Sequence, residues 1–333
     1  MTDSAQRLRF DVVDVFTDRP FAGNPLAVVH GADALDTAQL AAIAAEFNLS
    51  ETVFALPPTQ PSASYRARIF TPVEELPFAG HPSVGVAWVL VRDGAIAAGD
   101  AVQECGAGLL PVHVDAAGAR VTGGPPRVGP RLDGAELAEV VGLTADDVDP
   151  AVPAGICAAG LDFPVLAVRP DAVARATPPE AGALRRVTRG LGMICVASVG
   201  GARDGGVAGA GEVGAGVVGA GGEVGAVGGG AGVGVDAGVG VGAVHVRMFG
   251  PAVGVVEDPA TGSASVALAV FLVDRGLLAA DGESAFTVSQ GAEIGRPSRL
   301  DVRVVAEAGA AVRTSVGGRV VAVSAGEILV PPR

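Results

Sequence analysis

"RIFTPVEELPFAGHPSVGVAWVL" (Arg68–Leu90) and "RMFGPAVGVVEDPATGSASVALAVFL" (Arg247–Leu272) carry the architecture of this chain, because they read as two copies of one unit. Each opens Arg-apolar-Phe-x-Pro, passes through an acidic turn punctuated by Pro and Gly, and enters an apolar helical run rich in Val and Ala. An offset of 179 aligns Arg68-Ile69-Phe70 with Arg247-Met248-Phe249, and Pro72 with Pro251. An offset of 180 aligns Ser83 with Ser263 and Val86-Ala87 with Val266-Ala267, so a one-residue indel relates the two. Strand–turn–helix units are common and short apolar matches arise by chance. Agreement of this length favours an internal duplication, with two related lobes that each bury one central helix.

The rest of the chain fits that reading. "LRFDVVDVFTDRPFAGNPLAVVH" alternates apolar and polar residues and breaks at Pro20 and at Gly23-Asn24-Pro25, which predicts a strand pair. "DTAQLAAIAAEFN" has helical spacing with Asp36 or Thr37 as its cap, and "ETVFALPP" and "SYRARIFTP" read as strands. "HPSVGVAWVLVRDG" reads as a helix with Pro82 in its first turn and Gly94 past its end. Beyond residue 100, short strands dominate, with helices in "GAELAEVVG", "EAGALRRVTRGLG" and "TGSASVALAVFLVDRGL". The stretch 200–242 stands apart, with Gly at 20 of its 43 positions. Having no Lys and no strand–GxGxxG–helix context, it reads as a low-complexity insertion between two strands, flexible and poorly packed.

Composition narrows the chemistry. The 333 residues allow two domains, and 49% apolar content with mean hydropathy +0.46 suits a buried core, although Ala and Val supply much of it. The 23 basic side chains are all Arg, so pyridoxal Schiff-base chemistry, lysine aldolases and Walker-type phosphate loops are excluded. A net charge of −13 argues against a nucleic-acid partner. Cys105, Cys157 and Cys195 lie far apart, which argues against disulfides and against structural zinc. No run reads as a membrane span or a signal peptide, so the cytoplasm is the expected compartment.

The duplication has a chemical consequence. Both central helices start after polar turns, "AGHPS" and "DPATGS", and a helix N-terminus offers unpaired N–H groups with partial positive charge. Two such termini aimed into one cleft would hold a small carboxylate without any Lys. The proton-transfer candidates near these turns are Glu51, Glu74, Glu75, His81, Glu257 and Asp258. By spacing alone Glu51 reads first as a solvated acid at a strand start, His81 equally as a turn or capping histidine, and Asp258 as a turn acid. Ser263 reads as an ordinary first-turn residue, and Glu74 and Glu75 as solvated. His30, His113 and His245 have no partner nearby in sequence and read as structural. "TGSAS" is not a nucleophile elbow, and His81 has no second metal ligand at helical spacing, so neither a serine hydrolase nor a metal site is expected.

At the level of motifs the chain resembles the PhzF-like family, named for a phenazine-biosynthesis protein, which shares the diaminopimelate-epimerase fold. The residues that carry the resemblance are "DVFTDRPFAGNPLAVV" (Asp14–Val29), "NLSETVF" (Asn48–Phe54), "RIFTPVEELPFAGHPSVG" (Arg68–Gly85), "RMFGPAVGVVEDPATGSA" (Arg247–Ala264) and "SQGAEIGRPSRL" (Ser289–Leu300). It implies an α+β fold of two pseudo-symmetric lobes, each a β-barrel-like sheet around a central helix. The expected lobes are 1–115, joined by the last strand at about 322–333, and 116–321, which contains the 200–242 insert. It implies Glu51 as general acid/base, with His81 and Asp258 assisting. Ser263 and the backbone around Gly80 and Gly262 would hold a substrate carboxylate. No cysteine falls in either helix-start motif, which disfavours a two-thiol racemase. The implied activity is a cofactor-independent isomerase acting on a small cyclic, amino or hydroxy carboxylic acid, with a homodimer as the implied assembly. The alternative is a small-carboxylate-binding protein that kept the cleft and lost turnover.

Overall fold

The computed structural model describes residues 6–199 and 242–332, so nearly all of the Gly-rich stretch at 200–242 lies outside the described residues. The first half of the chain runs β1 (Arg7–Val15), β2 (Asn24–His30), α1 (Thr37–Phe47), β3 (Glu51–Leu56), β4 (Tyr65–Phe70), β5 (Glu75–Leu76), α2 (Gly80–Arg92), β6 (Gly99–Cys105), β7 (Gly108–Val114) and β8 (Gly118–Thr122). The second half opens with β9 (Pro126–Arg131), α3 (Gly134–Val140), β10 (Gly155–Ala159), β11 (Asp162–Val168), α4 (Ala181–Val187) and β12 (Ile194–Ser198). It continues with β13 (Ala243–Gly250), β14 (Val255–Asp258), α5 (Gly262–Asp274), β15 (Gly282–Gln290), β16 (Ser298–Glu307) and β17 (Ala310–Leu329). This is an α+β fold in which two barrel-like walls share one continuous sheet.

The two halves repeat the same pairings. β2 and β3 are parallel across α1, as β11 and β12 are across α4. β4 pairs antiparallel with β3 and parallel with β6 across α2, and β13 does the same with β12 and with β15 across α5. The first wall is completed by the other half of the chain. β8 ladders with β7, after which the chain leaves the first wall at Gly123-Gly124 so that β9 can pair with β10. The start of β17 ladders with β16, whereas Val320–Leu329 pair with β1 and close the first wall. β8, which follows residue 115, ladders with strands of both walls. The two crossing strands pair with each other from Gly118↔Arg319 to Thr122↔Ser315.

The central helices fill the walls because they are apolar on almost every side. In α5 every residue from Ala264 to Val273 is buried, and in α2 only Trp88 and the last turn reach the surface. Small residues let the helices approach the sheet: a Cβ on Gly85 would lie 2.4 Å from Leu26 Cδ2. Outside the first wall, α1 covers Phe54 and Phe70, and outside the second, α3 and α4 cover Phe249. Of the two expected caps of α1, Asp36 takes the position, and Gln39 completes a capping box with it.

Structure also corrects the alignment of the repeats. α2 and α5 each span 13 residues from Gly80 and Gly262, which sets the offset at 182. Ser83 then matches Ser265, not Ser263, and both hydroxyls donate to the carbonyl four residues back, Ala79 and Thr261. Phe70 and Phe249 keep the offset of 179, so the second copy carries three extra residues in its hairpin and not one. Arg68 grips Glu75 with two hydrogen bonds, and Arg247 grips Glu257 in the same way, so these two acids also match at 182. Glu75 is exposed, as expected, and is also half of a clamp.

Candidate active site

The amino ends of α2 and α5 meet at Gly80 and Gly262, where a Cβ added to Gly80 would lie 3.3 Å from Gly262 Cα. Neither terminus is capped by a side chain, because the cap of α2 is Ala79 and the Thr261 hydroxyl at α5 donates to Asp258. The first-turn N–H groups at His81, Gly262 and the half-buried Ser263 are therefore left for a ligand. A cap diverted to a carboxylate is a local cost that leaves the helix end available.

Around these ends stand the titratable groups. Glu51 opens β3 in register with Leu26 of β2, which places it at the mouth of the first wall. Its side chain is 18% exposed, and its Oε2 lies 3.6 Å from His81 Nδ1, too long for a hydrogen bond. Burial drives the Glu51 carboxyl up to about 7, although the Ser50 hydroxyl works against the shift. His81 is held down to about 4 by burial, against the opposing pull of Asp258 and of the Pro25 carbonyl, so its ring is neutral at pH 7. Its Nε2 is buried without a hydrogen-bond partner among the described residues.

Asp258 ends β14 in the other lobe, and burial together with the Glu51 charge raises it to about 7. Two donors favour its ionised form: Asn24 Nδ2 at 2.9 Å and Thr261 Oγ1 at 2.5 Å. Glu51, His81, Asp258, Gly80, Gly262 and Ser263 are thus brought to one seam between the lobes. With both carboxyls near 7, the pair carries roughly one proton at neutral pH. Such a site can take a proton at one position and return one at another.

Sequence reasoning missed the groups that hold this seam. Asn24, wholly buried, also donates to the Ala260 carbonyl at 2.9 Å and accepts from Ser50 Oγ at 3.2 Å, so one side chain ties both lobes together. Gln290 donates to the Asp258 carbonyl at 2.7 Å and to Thr261 Oγ1 at 3.0 Å, and accepts from the Thr261 N–H. Arg296 donates to the carbonyls of Ala22 and Gly23 and pairs with buried Asp14 at 2.5 Å, which fixes the turn leading into Asn24. Asn24 and Gln290 stand inside quoted motifs, but "GNP" reads as turn punctuation, and burial, the informative signal, is not visible in a turn.

The other histidines do have partners, supplied across strands. His30 meets Asp11 at 2.9 Å, His113 meets Asp100 at 2.8 Å, and His245 meets Glu293 at 2.8 Å. Asp11, His30 and Asp93 converge closely enough to suggest a metal, yet Arg9 and Arg92 already engage both carboxylates, so the donor set is satisfied. The buried thiols of Cys157 and Cys195 are pushed up to about 11 and about 12, far from nucleophilic character. Among the described residues, no helix is long and apolar enough to cross a membrane.

Comparison with known proteins agrees with the geometry. A family model described as a phenazine biosynthesis-like protein (PhzC-PhzF) matches residues 13–206 and 231–326. An uncharacterized isomerase of Mesorhizobium japonicum is 34% identical over 98% of this chain and 100% of its own length. The trans-2,3-dihydro-3-hydroxyanthranilate isomerase of Pseudomonas aeruginosa is 32% identical over 89% of this chain and 90% of its own. In fold, a PhzF-family protein of Bacillus anthracis superimposes with a TM-score of 0.77 at 23% identity, covering 97% of this chain and 99% of that one. A probable proline racemase of Agrobacterium radiobacter superimposes at 0.60 with 14% identity, covering 98% of this chain and 94% of that one, which places the fold among the racemase and epimerase architectures.

Proposed function

The chain belongs to the phenazine biosynthesis-like (PhzC-PhzF) family, and on that footing we propose that it is a cofactor-independent isomerase that moves a proton on a small carboxylic acid. The observation that carries the reading is the pairing of Glu51 and Asp258. They are two carboxyls on opposite lobes, both raised to about 7, beside a neutral histidine and two uncapped helix ends.

The substrate carboxylate docks on the first-turn N–H groups of α5, with the Ser263 hydroxyl beside it. Ionised Glu51 removes a proton from the substrate carbon, and the negative charge that develops is met by helix-end dipoles that need no reorganisation. Asp258 shares the site's second proton position and, through its Asn24 and Thr261 donors, keeps charge available when Glu51 becomes protonated. His81 in its neutral form offers the unpartnered Nε2 to the substrate. Glu51 then returns the proton elsewhere on the carbon skeleton. The named substrate of the Pseudomonas relative, trans-2,3-dihydro-3-hydroxyanthranilate, is the first compound to test.

The experiment is turnover of that compound, and of a panel of cyclic amino and hydroxy acids, in deuterated solvent. Deuterium that exchanges from solvent onto the Glu51 carboxyl during turnover should enter the product with the native protein and fail to enter with Glu51→Gln. Label incorporation that persists unchanged in Glu51→Gln would remove Glu51 from the role of base. Ligand-induced thermal stabilisation across the panel without any exchange would instead favour a binding protein.

A further inference from the structure

A cavity of about 550 Å³ opens between the lobes where β8 runs against β17, and none of Glu51, His81 or Asp258 lines it. Three guanidinium groups do: Arg120 from β8, Arg303 from β16 and Arg313 from β17. The charges around it do not balance. Arg303 pairs with Glu283 at 3.5 Å, and the rim acid Asp100 pairs with His113 at 2.8 Å. Among the described residues, Arg120 and Arg313 have no carboxylate within 4.0 Å, and with His113 counted as neutral the three Arg against Glu283 and Asp100 leave about one positive charge in the lining, in a chain whose net charge is −13.

The placement of Arg120 is built into the fold. It stands opposite Gly317 where the strands cross, and a Cβ on Gly317 would lie 2.7 Å from the Ala119 carbonyl and 2.9 Å from Arg120 Cβ. Only glycine admits the arginine there. Its Nη1 donates to the Asp301 carbonyl at 2.9 Å and to Ser315 Oγ at 3.5 Å, which aims the half-buried fork and leaves three of its five donors. Burial, foremost, and the charge of Arg303 pull the Arg120 guanidinium below its usual value, and the Asp301 and Glu283 carboxylates, both beyond ion-pair distance, oppose the shift without reversing it. The hydroxyls of Thr122 and Ser315 line the same wall and add neutral donors.

We propose that this inter-lobe cavity is a binding site for a small divalent oxyanion, a phosphate monoester or a dicarboxylate, separate from the reaction cleft. Two unpaired guanidinium forks with adjacent hydroxyls in one cavity supply the charge and the kind of donors that such a group requires. The cavity has room for a ligand larger than a bare ion.

Isothermal titration calorimetry of the full chain tests this, with inorganic phosphate in one arm and succinate in the other, at ionic strength held constant with chloride. Saturable one-site binding is expected in at least one arm, and the arm that binds tells phosphate chemistry from dicarboxylate chemistry. Arg120→Gln and Arg313→Gln should each weaken that binding about tenfold or more. Arg313 is exposed, so its variant reads out the site even if Arg120→Gln fails to fold. Binding in neither arm above chloride would overturn the proposal. So would binding that is unchanged in Arg313→Gln but lost in Ser263→Asp, which would assign the anion to the reaction cleft.

Discussion

Gly80 and Gly262 touch across the two lobes, yet they do not tolerate a side chain equally. A Cβ on Gly80 would face Gly262 Cα at 3.3 Å and the Ser263 nitrogen at 3.5 Å, all backbone of the opposite helix. A Cβ on Gly262 would meet Val316 Cγ1 at 3.4 Å and Gly80 Cα at 3.5 Å, which is ordinary contact. Gly80→Ala must therefore push the helix ends apart by a few tenths of an ångström, at the place where the substrate carboxylate would be held. The expected outcome is a loss of about tenfold in kcat/KM with a small change in Tm, and a milder loss for Gly262→Ala. Steady-state kinetics beside thermal melts of both variants check it, and equal losses in the two would contradict the asymmetry.

The raised carboxyls make stability and activity respond to pH in opposite senses. Glu51 and Asp258 sit at about 7 in the folded chain, above the usual 4.5 and 3.8, so the folded state holds protons that the unfolded chain releases. Their contribution to stability is complete below pH 4 and is lost as pH rises through 7. His81 acts in the reverse direction between about 4 and 6.5, which leaves the carboxyl effect clearest from pH 6.5 to 8. Glu51→Gln should be more stable than the native protein at pH 8, on the order of 1–3 kcal/mol, with the gap closing near pH 4. Activity should rise with pH around 7 as Glu51 ionises, and the same variant should lose about 10²–10⁴-fold in rate. Denaturant melts at both pH values and a kcat/KM profile test the two halves separately.

Much of this was legible because repetition is a strong signal. The paired stretches gave two lobes, two buried helices and the turns at their starts, and with the family motifs they led to Glu51, His81 and Asp258. The register between the repeats was not legible. A hairpin absorbs three extra residues without disturbing the strand before it or the helix after it, so matching apolar letters favoured the wrong offset by two. Asn24, Gln290 and Arg296 were missed for another reason. Their work is to join segments distant in sequence, and Asn24 bonds Asp258 from the other lobe. Nothing local distinguishes such a residue from a turn former. The cross-strand partners of His30, His113 and His245 were hidden in the same way.

The two arginine clamps provide a measure of burial. Arg247 and Glu257 are 8% and 5% exposed, whereas Arg68 and Glu75 are 16% and 37% exposed. Removing one member of the buried pair strands a charge in the interior, while water screens the other. Arg247→Ala should cost about 3–5 kcal/mol and Arg68→Ala about 1 kcal/mol or less from the lost ion pair. Each arginine also lies over its phenylalanine, with 4.9 Å from Arg247 to the Phe249 ring and 5.2 Å from Arg68 to Phe70, so that contact cancels in the comparison. Urea unfolding of both variants decides, and equal costs would mean that burial does not control these pairs.

Asn24 makes the sharpest separation between holding the site and tuning it. Its Nδ2 serves Asp258 Oδ1 and the Ala260 carbonyl, both at 2.9 Å, from a fully buried position. Asn24→Ala removes a donor to each and leaves the Asp258 carboxylate with Thr261 as its remaining side-chain donor, at a cost of about 1–3 kcal/mol. Losing a donor to the ionised form must also push Asp258 further above 7, so the rising arm of the pH profile, where the Glu51–Asp258 pair loses its proton, should move to higher pH. Asn24→Asp sets a second carboxyl against Asp258 and should move that arm further still while destabilising the fold at pH 8 more than at pH 5. Kinetic pH profiles of the two variants, each beside its own melt, discriminate the roles. A drop in stability with no movement of the profile would make Asn24 a lobe tie alone, with no influence on the carboxylate it touches.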